Sequence, residues 1–156
     1  MRKVFAGLAI LLMVVVAAEF FLAASGAFNT APKEESFQAH RALGYLILLF
    51  AVLMTLVAAL ARAPGRLIGM AALVAGLVVV QSVIRGIASA VGDTAATAGQ
   101  LIFGLHAVNG LVIMAVVGMI VRQARQLSRS VPTPRAGTGD GAGASGSTAR
   151  PAQAAP

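Results

Sequence analysis

"LIFGLHAVNGLVIMAVVGMIV", Leu101 to Val121, runs for twenty-one residues without an Asp, Glu, Lys or Arg. About 20 apolar residues at 1.5 Å each are what a helix needs to cross the roughly 30 Å hydrocarbon layer of a bilayer. The stretch therefore predicts a transmembrane helix over about residues 98–121. Working back along the chain, three more apolar segments of that length occur, at about 4–28, 40–62 and 67–92. The breaker-rich pieces "NTAPKEES", "RAPGR" and "GDTAAT" separate them. A segment in lipid must satisfy its own backbone, so all four are helices. The expected fold is an all-α membrane protein, with four transmembrane helices in an up-down bundle spanning residues 1–127. From 128 to 156, "SRSVPTPRAGTGDGAGASGSTARPAQAAP" is almost free of large apolar side chains and predicts a disordered tail.

Composition agrees. Of 156 residues, 58% are hydrophobic and 11% charged, and the mean hydropathy is +0.88; soluble domains carry about 25% charged residues. The absence of Cys excludes disulfide frameworks, iron–sulfur clusters and thiolate metal sites. The net charge of +7 does not point to nucleic acid, because the cations flank the spans. Arg2 and Lys3 precede span one, Arg62 and Arg66 separate spans two and three, and Arg122, Arg125 and Arg129 follow span four. By the positive-inside rule these sit in the cytoplasm. The expected location is the cytoplasmic membrane, multi-pass, with both termini cytoplasmic and "MRKVFAGLAILLMVVVAAEFFLAASGAF" kept as an uncleaved span rather than removed as a signal peptide. The lipid bilayer is the expected partner; a homo-oligomer or another membrane partner is left open.

Polar groups inside spans are few: Glu19 in span one, Gln81 and Arg85 in span three, His106 and Asn109 in span four, with His40 and Arg41 opening span two. Such groups tend to face a bundle interior or cavity. Counted from the span ends, Glu19, Arg85 and His106 lie roughly 10 to 14 Å below the outer boundary. The only two histidines are 66 residues apart, each four residues before a glycine: His40 with Gly44, His106 with Gly110. At the same offset Gly26 matches Gly92 and Glu19 matches Arg85, which suggests two related helical hairpins. In an up-down bundle spans two and four are diagonal, so both imidazoles point inward at similar depth. A glycine one turn along the same face clears a flat space beside each. Two axial imidazoles with such a gap suit a b-type haem, with His40 and His106 as iron ligands. Arg41, Arg85 or Lys33 at the rim suits its propionates. The alternative is that the histidines only pack, hydrogen-bonded to Gln81, Glu19 or a carbonyl, and that Glu19 and Arg85 form a buried ion pair.

At "HRALGYLILL", "LHAVNGLVI" and the opening "MRKVFAGLA" the chain resembles an uncharacterised family of small bacterial four-helix membrane proteins, a domain of unknown function, over residues 1 to 127. That resemblance implies a fold and a location but no activity. More distantly the chain resembles one four-helix half of haem A synthase. His40 with Arg41 resembles that family's His-Arg pair, His106 its second ligand, and Gln81 followed by Gly86 its third helix. The family has a glutamate three residues before the His-Arg pair; this chain has Phe37 there. The resemblance thus implies the scaffold and a haem site without the carboxylate of the oxidative chemistry.

Other chemistry has little to stand on. No strand is expected to carry a phosphate loop, no serine sits in a nucleophile elbow, and two imidazoles with Glu19 are a poor zinc set. The expected function is a small haem protein for electron transfer, redox sensing or haem handling, with no substrate reaction assigned. The alternative is a non-catalytic structural or accessory subunit without a cofactor; a proton or solute carrier using Glu19 and Arg85 is a third.

Overall fold

The computed structural model describes residues 2–92 and 94–129, which form α1 (Arg2–Ala27), α2 (Lys33–Ser36), α3 (Gln38–Leu60), α4 (Gly65–Gly92) and α5 (Ala96–Arg129). All but the single turn α2 are long and apolar enough to cross a membrane, and no strand occurs among the described residues. The fold is that of an all-α, multi-pass membrane protein. α5 runs on past Val121 to Arg129 because its inward spacing continues through Ala124 and Leu127. The expected tail accordingly loses Ser128 and Arg129 to this helix, and residues 130–156 lie outside the described residues.

The four long helices close into a ring in the order α1, α3, α4, α5 and back to α1. No Cα of α1 comes within 8 Å of α4, and none of α3 within 8 Å of α5, so these are the diagonals. Each helix turns one stripe inward, built from steps of three and four residues, the helical repeat. On α1 it is Ala6, Ala9, Leu12 and Val16; on α3 Ile47, Ala51, Met54 and Ala58. On α4 it is Leu67, Ala71, Val74 and Val78; on α5 Ile113, Val116, Val117, Ile120 and Ala124. The outer faces are equally apolar, with Leu11, Val14, Phe21, Leu56, Val80 and Leu111 exposed, as suits side chains that meet lipid rather than water.

The turns follow from local chemistry. At the end of α3, Ala63 N–H donates to Ala58 O (2.9 Å) and Arg62 N–H to Ala59 O (3.0 Å), a Schellman closure with Arg62 left-handed at φ 49°. Pro64 then opens α4. Between α4 and α5 the backbones touch: a Cβ on Gly99 would lie 2.6 Å from Gly92 Cα and 2.9 Å from Ala88 O. Only glycine fits this crossing.

Candidate functional site: a polar layer in one half of the bundle

The buried apolar residues named above occupy the half of the bundle that holds the start of α1 and the end of α5. In the other half the same inward stripes continue with polar groups. Val16 leads to Glu19 and Val78 to Gln81; Ile47 is preceded by Gly44 and His40, and Ile113 by Gly110, Asn109 and His106. Three- and four-residue steps thus carry one face from hydrocarbon into a polar layer.

Across the α3–α5 diagonal the two imidazoles meet. The His40 and His106 ring centroids are 6.1 Å apart, with planes at 59°. Each ring is anchored to the preceding long helix of its own hairpin. His40 Nδ1 lies 3.0 Å from Glu19 Oε1 and 3.4 Å from Glu19 O, and His106 Nδ1 lies 3.3 Å from Gln81 O. A carbonyl only accepts, so in the tautomer that forms these bonds Nδ1 carries the proton and Nε2 keeps its lone pair. Asn109 Nδ2 donates to Leu77 O (2.9 Å) and Gln81 Oε1 (2.8 Å), tying α5 to α4 a second time. Glu19 Oε2 is buried without a hydrogen-bond partner.

Two phenylalanines complete the layer. Phe103 stacks on His106 with centroids 5.2 Å apart and planes at 4°, and Phe37 meets His40 edge-on at 6.1 Å. Each stands three residues before its histidine, at the 66-residue offset of the histidines themselves. That offset is the signal the sequence carries for them.

The hairpin relation holds in a modified form. α3 and α5 correspond at 66 residues throughout: Phe37 and Phe103, His40 and His106, Gly44 and Gly110, and the buried Ile47 and Ile113, Ala51 and Val117, Met54 and Ile120, Ala58 and Ala124. α1 and α4 correspond at 62: Ala9 and Ala71, Leu12 and Val74, Val16 and Val78, then Glu19 and Gln81. The partner of Glu19 in the repeat is therefore Gln81, not Arg85. The four-residue difference is one helical turn, which α4 adds between Gln81 and Gly92.

Other expected site residues fall differently. Arg41 holds Glu34 at the rim, with Nη1 3.2 Å from Oε2 and Nη2 2.5 Å from the Glu34 carbonyl. Arg85 lies one turn beyond Gln81, the residue level with Glu19, where it is exposed, and it forms no ion pair with Glu19. The spaces beside Gly44 and Gly110 are filled: a Cβ there would lie 3.2 Å from Glu19 Oε1 and 3.2 Å from Phe20 Cζ. No group of three or more His, Cys, Asp or Glu side chains able to hold a metal ion occurs among the described residues.

Fold and site together define a four-helix, multi-pass membrane protein with a paired-imidazole layer. Residues 19–89, just under half of the chain, match the model of a family described as of unknown function (DUF6220). This agrees with the resemblance to an uncharacterised family. The matched stretch includes Glu19, His40, Gly44 and Gln81 and ends before His106. No curated protein and no solved structure matches the chain, so the likeness to haem A synthase gains no support from either.

Proposed function

We propose that the polar layer holds one b-type haem through His40 and His106, near the outer face of the cytoplasmic membrane, with both termini in the cytoplasm. The protein then serves electron transfer, redox sensing or haem handling and needs no substrate of its own. The observation that carries this is the 6.1 Å between the two ring centroids, with Nδ1 of each ring turned to a backbone carbonyl. A metal at about 2 Å from each nitrogen, with each nitrogen about 1 Å from its ring centre, asks for about 6 Å. Carbonyls at both Nδ1 atoms are the outer-shell partners that orient ligating histidines. The plane between the rings extends toward α1 and α4, so Glu19 and Phe20 must turn aside for a macrocycle to enter. Arg85, which pairs with no carboxylate among the described residues, is suited to a propionate by a charge-assisted hydrogen bond. Bound haem supplies one-electron exchange; the chain's own part is to ligate, orient and shield it.

A competing reading has its own observation. His40, His106 and Asn109 each already join two helices, so the layer has a complete role as packing glue in a structural or accessory subunit without a cofactor. A reduced-minus-oxidised spectrum of the detergent-purified protein, expressed with haem supplied, separates the two. Soret and α bands that vanish in His40→Ala and in His106→Ala support the haem site. A colourless preparation, or bands unchanged by His106→Ala, overturns it.

A further inference from the structure

We infer that the cleft between the start of α4 and the last turns of α5 binds the phosphodiester headgroup of an anionic phospholipid. The cleft, of about 420 Å³, is lined by Pro64, Arg66, Leu67, Gln123, Gln126 and Leu127. It combines one guanidinium and two amide side chains with an apolar floor, of which Leu67 is fully buried. A phosphate ester is the group that uses all three: the cation meets its charge, amide N–H groups donate to its oxygens, and the glycerol carbons rest on leucine.

Charge on this end of the bundle points the same way. Lys3, Arg62, Arg66, Arg122, Arg125 and Arg129 all lie here, and no ion pair among the described residues involves any of them. The described carboxylates, Glu19, Glu34 and Glu35, all belong to the opposite half. A cleft between membrane helices, set in such a basic belt, is where acidic headgroups collect, at about 1 kcal/mol per cation. The lipid tail also has a path. Gly69, Leu73 and Gly76 follow Arg66 at three, seven and ten residues, on the same face of α4, and all are exposed. A Cβ on Gly69 or Gly76 would meet nothing within 4 Å, so the face beneath the headgroup is shallow enough for an acyl chain to lie along it.

The test is native mass spectrometry and thermal unfolding of the full chain in neutral detergent with added phosphatidylglycerol, phosphatidylcholine or soluble glycerol phosphate. The expected result is one retained phosphatidylglycerol and a rise in unfolding temperature with that lipid only. Arg66→Gln weakens retention about fivefold, the worth of one cation at the surface, whereas Arg125→Gln, which does not line the cleft, retains the lipid. Leu127→Trp fills the cleft with every cation in place and also loses the adduct, which keeps the test valid should Arg66→Gln fold poorly. Equal shifts with the two lipids, the full shift with glycerol phosphate alone, or retention unchanged in both cleft variants overturns the site.

Discussion

Replacing Gly99 by alanine tests the closest contact in the bundle. The new Cβ would stand 2.6 Å from Gly92 Cα and 2.9 Å from Gly92 N and Ala88 O. Carbon atoms pack at about 3.5–4.0 Å, so the two helices must part by about 1 Å. Every atom in the way is backbone, so no side chain can turn aside, and the cost falls at the upper end of overpacking, about 3 kcal/mol. Alanine returns about 1 kcal/mol through helix propensity, which leaves a net loss of about 2 kcal/mol. Gly104, on the same helix with nothing within 4 Å of its Cβ position, is the control; Gly104→Ala keeps only the propensity gain, up to about 1 kcal/mol. The assay is reversible unfolding in mixed micelles followed by far-ultraviolet circular dichroism. A Gly99→Ala protein within about 0.5 kcal/mol of wild type, or no less stable than Gly104→Ala, refutes the backbone contact.

Three further outcomes follow from the same geometry. A double-mutant cycle of Glu19→Ala with His40→Ala, measured by unfolding, gives a coupling of about 1.5 kcal/mol across their 3.0 Å contact. The corresponding cycle of Glu19 with Arg85 gives none beyond about 0.5 kcal/mol. Asn109→Leu removes two bonds from α5 to α4 and lowers unfolding free energy by about 1 kcal/mol. Arg62→Gly relieves a left-handed non-glycine residue at the Schellman closure and raises stability by about 1 kcal/mol.

Spans and inward faces were legible because a bilayer demands length and a helix demands three- and four-residue steps; both are properties of one segment at a time. The histidine pair was legible for the same reason: each ring continues its own helix's apolar stripe, and the up-down order puts those helices on a diagonal. The Glu19–Arg85 pairing fails because it needs the level of each residue in the bundle. Matched depth and a 66-residue offset put the two residues level, but Gln81 is level with Glu19 and Arg85 stands exposed one turn beyond it. The extra turn of α4 is hidden in the sequence because a uniform offset fits the histidines, the glycines and Arg85 together. Only the burial of Val74 and Val78 opposite Leu12 and Val16 shows that the first helices correspond at 62 residues. The glycines beside the histidines signal open space by sequence alone; its filling by Glu19 and Phe20 depends on side-chain directions of a third helix, α1.

The division of the core into an apolar half and a polar half has an electrical meaning. From Ile47 to Ala58 the packed hydrocarbon is roughly 16 Å deep, with no buried polar group among the described residues. Such a layer is an insulator: a proton or ion gains no stepping stone within it, and bare charge in it is costly. About 16 Å of hydrocarbon thus separates the imidazole layer from the basic end of the bundle.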